Sequence, residues 1–71
     1  MIKAYMGLDI GSISTKGVII DESGNILAEK YLWTEGNPIG AVKEILRDFK
    51  RLAGKIAVAG VGTTGSARKL I

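Results

Sequence analysis

Three short strand-like runs, the first with a two-residue alternation, are cut by tight turns and followed by one helix-period stretch, which confines this chain to a small mixed sheet carrying a helix. From Ala4 to Ile10, Met6, Leu8 and Ile10 alternate with Tyr5, Gly7 and Asp9, the period a pleated strand requires. Gly11-Ser12-Ile13-Ser14 reads as a turn. Thr15–Ile20, with its β-branched run Val18-Ile19-Ile20, reads as a second strand. Asp21 to Asn25 is a hairpin loop of residues that tolerate positive φ or bond their own backbone. Ile26–Thr34 is a third strand, broken by Glu35-Gly36-Asn37.

Asn37 followed by Pro38 signals a helix start, a capping side chain before a proline in the first turn. Ile39, Val42, Ile45, Leu46, Phe49, Leu52 and Ala53 then recur at helical spacing, so the helix is expected over 38–53 with Gly54 as its stop. Lys55–Val61 reads as a fourth strand, apolar on both faces and therefore expected to be buried. Gly62-Thr63-Thr64-Gly65 reads as a loop, with Ser66 capping a helix from Ala67. Two tight turns imply an antiparallel meander, and the helix brings the chain back so that strand four lies parallel to strand one. The expected fold is α/β, in the order β-β-β-α-β, as one unit over residues 1–71.

Composition closes off several functions. With no Cys and no His among the 71 residues, the chain offers no disulfide, thiolate ligand or imidazole catalyst. No apolar run approaches the roughly 20 residues needed to cross a bilayer, and the N-terminus lacks a signal-like core, so a cytoplasmic protein is expected. The net charge of +3 comes mostly from basic residues from Lys43 onward. No aromatics interleave with them, which favours a solvated helix face over a nucleic-acid patch.

The chemistry sits in Gly7-Leu8-Asp9-Ile10-Gly11-Ser12-Ile13-Ser14-Thr15-Lys16-Gly17. An apolar strand delivers a carboxylate, a Gly- and hydroxyl-rich turn follows, and a lysine opens the next strand. Such a turn can direct backbone amides into one anion-binding concavity. Gly11 lets an oxygen approach the backbone, Ser12 and Ser14 or Thr15 add hydroxyls, Ile13 lends its backbone, and Lys16 adds charge. Asp9 repels phosphate but suits a water in the shell of Mg²⁺; inside an apolar strand it is costly unless it faces a site. There is no GxxxxGK[ST] loop. Asp-x-Gly-Ser between strands is also an ordinary hairpin, and both readings stand at this point. Trp33 and Tyr31 read as core or sheet surface, and Arg68 as either a solvated charge or a phosphate contact.

The stretch Gly7 to Asp21, GLDIGSISTKGVIID, resembles the first phosphate motif of the actin, sugar-kinase and chaperone ATPase superfamily, matching it at Asp9, Gly11, Ser12 and Lys16. That resemblance implies a partial ribonuclease-H-like domain, ATP and Mg²⁺ as cofactors, the β- and γ-phosphates at the turn, and Asp9 acting catalytically through a metal-bound water. Val61 to Arg68, reading VGTTGSAR, further resembles ATP-dependent activators of 2-hydroxyacyl-CoA dehydratases and benzoyl-CoA reductases. It implies a second loop near the site at Thr63, Thr64, Gly65 and Arg68. It also implies a homodimeric parent holding a [4Fe-4S] cluster on cysteines outside this chain, and a dehydratase or reductase partner. The DxGSxSxK phrase and the strand ending in Asp21 are shared with carbohydrate kinases, the alternative. A non-catalytic partner-binding domain of the same fold is a third. The chain is expected to be the truncated start of a first lobe, inactive alone and prone to self-association.

Overall fold

The computed structural model describes residues 1–65. The helix expected from Ala67 with its Ser66 cap, and Arg68, lie outside the described residues. The elements are β1 (Ile2–Ile10), β2 (Ser14–Asp21), β3 (Ile26–Trp33), α1 (Pro38–Phe49), a 3-10 turn (Lys50–Leu52) and β4 (Ile56–Thr64). They form one four-stranded sheet in the order β3-β2-β1-β4, with β1 antiparallel to β2, β2 antiparallel to β3, and β1 parallel to β4. The expected meander and parallel return strand are both present.

Alternation decides the two faces. Ala4, Met6, Leu8 and Ile10 stand with Thr15, Gly17 and Ile19 on one side, and α1 lies across it over β1, β2 and β3. The helix seats Val42, Ile45 and Phe49 against Ala4, Leu8, Ile10, Ile19 and Ala28. Each Val, Ile or Phe so buried is worth about 1.5–3 kcal/mol. Gly17 lets the helix approach this closely, since a Cβ there would lie 2.5 Å from Ile45 Cγ2 and 3.0 Å from Phe49 Cε2. Asn37 caps α1 as expected, its Oδ1 accepting from the Gly40 amide at 3.0 Å.

Four expectations are corrected. The helix ends at Phe49 and tightens into a 3-10 turn; Gly54 does not adopt the left-handed conformation of a glycine stop. Ile39 and Leu46 in the apolar stripe stay partly exposed, because they flank the line of contact with the sheet. β4 runs on to Thr64, so Gly62, Thr63 and Thr64 are strand and not loop. Finally, β4 is not buried on both faces. Of its residues only Ile56 is buried, while Val58 and Val61 are 45% and 60% exposed. Among the described residues β4 is paired only with β1, and α1 covers the strands on the other side. No helix among them is long and apolar enough to cross a membrane.

Candidate functional site

The face opposite α1 carries Asp9 and Lys16 side by side, directly across the β1–β2 ladder. Both are exposed, so Asp9 does not carry the burial cost its apolar neighbours suggest. Asp9 Oδ1 accepts from the Thr64 hydroxyl at 3.0 Å, and Asp9 and Thr64 are register partners on β1 and β4. Lys16 Nζ lies 3.9 Å from Glu29 Oε2, a half-exposed ion pair that holds the lysine only weakly. With Gly7, Leu8, Val18 and Gly62 these side chains line a depression of about 320 Å³.

A bulge brings Thr64 to Asp9. The pairing of β1 with β4 runs Ala4 to Val58 and then Tyr5 to Gly60, leaving Ala59 as an extra residue. Beyond that point the faces of β4 are exchanged. Thr64 therefore stands beside Asp9, and Thr63 sits opposite Leu8 on the helix side. Gly65 follows in the left-handed region at φ 103, against the Ile10 backbone.

The turn after β1 is held from several directions. Gly11 N donates to Ser14 O at 2.9 Å, and a Cβ on Gly11 would sit 2.8 Å from that same oxygen, so glycine is required there. Thr34 N donates to Ile13 O at 2.7 Å, and the Thr34 hydroxyl donates to Gly11 O at 2.8 Å. Among the described residues the Ser12 and Ile13 amides meet no acceptor. Ser12 and Ile13 are exposed and border an open depression of about 490 Å³ with Trp33 and Glu35.

The structure thus brings Asp9, Gly11, Ser12, Ile13, Ser14, Lys16 and Thr64 to one end of the sheet. Thr15 is a correction. Its side chain is fully buried on the helix side, its hydroxyl 2.8 Å from that of Thr34, so it offers no hydroxyl to a ligand. Thr63 likewise faces away. Trp33 and Tyr31 are sheet surface, 64% and 57% exposed and stacked edge-to-face at 6.1 Å. Sequence reasoning missed Thr34 and Glu29. Thr34 looks like the last residue of a strand, and nothing local shows that it reaches back 19 and 23 residues.

The residues fit a hydrated divalent cation. Asp9 has one carboxylate oxygen engaged by Thr64 and the other without a hydrogen-bond partner among the described residues. These residues contain no cluster of three acidic or His side chains that would cage a metal. A single carboxylate suits Mg²⁺, which keeps several waters and completes its shell with phosphate oxygens. No residue of this chain is a cysteine, so the chain itself supplies no cluster ligand.

A sheet of this order, with β1 parallel to β4, matches a fragment of the ribonuclease-H-like, actin-like ATPase fold. No protein-family model matches the chain. Over 61 residues, 86% of the chain, it is 26% identical to glucokinase from Pyrobaculum calidifontis, of which it covers 19%. Among solved structures it is similar to the activator of the 2-hydroxyisocaproyl-CoA dehydratase from Clostridium difficile with bound ADPNP. The TM-score is 0.80 at 28% identity, covering 96% of this chain and 26% of that one. Gluconate kinase from Lactobacillus acidophilus gives a TM-score of 0.70 at 25% identity, covering 93% and 16%. Glycerol kinase from Plasmodium falciparum with ADP gives 0.72 at 21% identity, covering 90% and 16%, and bears on the fold alone. The chain therefore spans about a quarter or less of each of these proteins.

Proposed function

We propose that this chain is the first phosphate-gripping segment of a two-lobed, ATP-using protein. The observation that carries the reading is the placement of Asp9 and Lys16 beside each other at the mouth of a braced turn with open amides. The Ser12 and Ile13 amides and the Ser12 hydroxyl donate to phosphate oxygens, and Lys16 adds charge against them. Asp9, steadied by Thr64, accepts from a water in the shell of Mg²⁺; the cation, when bound, neutralises charge on the β- and γ-phosphates. Phosphoryl transfer needs such groups from several directions at once, so a second lobe completes the clamp.

Within this class we favour the activator of an acyl-CoA dehydratase or reductase, on the Val61–Arg68 motif and the structural likeness to such an activator. The parent is then a homodimeric ATPase with its [4Fe-4S] cluster on cysteines outside this chain. A carbohydrate kinase is the second reading, favoured by the sequence likeness to a glucokinase. In the parent, ATP hydrolysis without sugar and a cluster signal in the electron spin resonance spectrum support the activator, whereas strictly sugar-dependent turnover sinks it. We also propose that the exposed Val58 and Val61, on a strand without charge, make the isolated chain self-associate. A clean monomer by light scattering at high concentration refutes that.

The site itself is tested on the 71-residue chain by nitrogen-15 NMR titration. Pyrophosphate is expected to compete about as well as ADP and to shift Gly11 to Lys16, with no phosphate release from ATP. Lys16→Met is expected to weaken binding by on the order of 1.5–3 kcal/mol. Shifts elsewhere in the sheet, or binding indifferent to Lys16, contradict the reading.

A further inference from the structure

Thr34 follows the last residue of β3 and is only 3% exposed. It touches the turn at two points, Ile13 O through its amide and Gly11 O through its hydroxyl proton, and meets Thr15 Oγ1 of β2 at a third. A hydroxyl carries one proton. That of Thr34 goes to Gly11 O, so the proton between the two threonines comes from Thr15. Donation therefore runs in one direction, from Thr15 to Thr34 to the Gly11 carbonyl. The two threonines are buried, so water does not readily replace a lost partner.

The consequence follows from peptide geometry. Across a trans peptide plane the carbonyl and the next amide point in opposite directions. Holding the Gly11 carbonyl on Thr34 aims the Ser12 amide away from it, and holding the Ile13 carbonyl there does the same for the Ser14 amide. The turn is set before any ligand arrives, which removes an ordering cost from binding.

We propose that Thr34 is the positioning residue of the phosphate-gripping turn, its hydroxyl presetting the Ser12 amide for a polyphosphate anion. The proposal rests on the phosphate reading given above. Thr34 does not touch the ligand; it acts through the Gly11 carbonyl.

The experiment compares the wild-type chain with Thr34→Val, Thr34→Ser and Thr15→Val, with pyrophosphate as the probe. Thr34→Val keeps shape and the backbone bond to Ile13 while removing the hydroxyl. The expected result is faster amide exchange at Gly11 and roughly tenfold weaker pyrophosphate binding, the scale of one lost hydrogen bond, with the rest of the spectrum unchanged. Thr34→Ser is expected to restore both. Thr15→Val, which leaves the Thr34–Gly11 bond in place, is expected to have the smaller effect. In the wild-type chain the Thr34 hydroxyl proton is expected to exchange slowly and to show contacts to the Gly11–Ser12 peptide. Its absence overturns the assignment even if a variant fails to fold. Wild-type binding unaffected by Thr34→Val, or not restored by Thr34→Ser, overturns the role of Thr34 alone. No pyrophosphate binding by the wild type overturns the phosphate reading itself.

Discussion

The two turns of the meander are built from similar residues and used in opposite ways. At the β2–β3 end, Asp21 spends its carboxylate on its own loop. Its Oδ1 accepts from the Ser23 and Asn25 amides at 2.9 Å each, and its Oδ2 from the Asn25 side chain at 3.0 Å. The Gly24 amide is taken by Asp21 O. At the β1–β2 end no side chain of the turn fills it. The carbonyls of Gly11 and Ile13 are drawn off by Thr34, just past the end of β3, and the Ser12 and Ile13 amides stay open. A turn that satisfies its own donors is finished as structure, whereas one braced from behind keeps donors for a ligand.

The sharpest way to break this contrast is to swap the fates of the two aspartates. In a protein carrying the whole clamp, Asp9→Asn is expected to lower ATP turnover by roughly 10–100-fold, the range for a group that orients a metal's shell, while nucleotide affinity changes little. Asp21→Asn is expected to leave turnover alone. Steady-state phosphate release beside calorimetric ADP binding decides it; equal effects of the two substitutions, or an Asp9 effect on affinity alone, would end the distinction.

Glycine substitutions come next. Gly11→Ala places a Cβ 2.8 Å from Ser14 O, a backbone atom that cannot swing aside, and is expected to cost roughly 1–3 kcal/mol. Gly24 has φ +87 but open space around it, so Gly24→Ala is expected to cost about 1 kcal/mol from conformation alone. Only the first is expected to abolish pyrophosphate binding. Urea denaturation and titration of both variants measure this, and a Gly24→Ala variant that loses binding would contradict it.

The smallest effect concerns acid. The hydrogen bonds from the Asn25 side chain and amide, joined by that from the Ser23 amide, hold the Asp21 carboxyl below its ordinary range. A lowered folded-state value means that the contribution is fully present above the unfolded value of about 3.9. It is lost as pH falls through the folded value. The wild-type hairpin is therefore expected to weaken in that acid window, and Asp21→Asn to flatten this part of the stability–pH curve. Circular dichroism melts down to acid pH check the sign; an unchanged slope in the variant would show that Asp21 carries none of it.

Most of the architecture was legible in the sequence because it follows from local rules. Alternating and β-branched runs made strands, Asn37-Pro38 began the helix, and short turns implied a meander. Asp9, Gly11, Ser12 and Lys16 were legible as a group because they fall within eight residues around one turn. What escaped local reading depends on distant partners. The burial of β4 was misjudged because apolar composition does not say which neighbours a strand has. Thr15 and Ser14 are chemically alike in the chain, yet adjacent strand residues point to opposite faces, and only Thr15 is sealed under the helix.

By itself, then, the sequence determined the kind of turn, its carboxylate and its lysine, since these depend on residues a few positions apart. The tertiary structure alone decided how that turn is held and what meets Asp9. Thr34 arrives from across β2, and the single extra residue at Ala59 reverses the faces of β4 so that Thr64 lies beside Asp9. Both are matters of register between strands far apart in the chain, and a one-residue shift in register moves a side chain to the other side of the sheet.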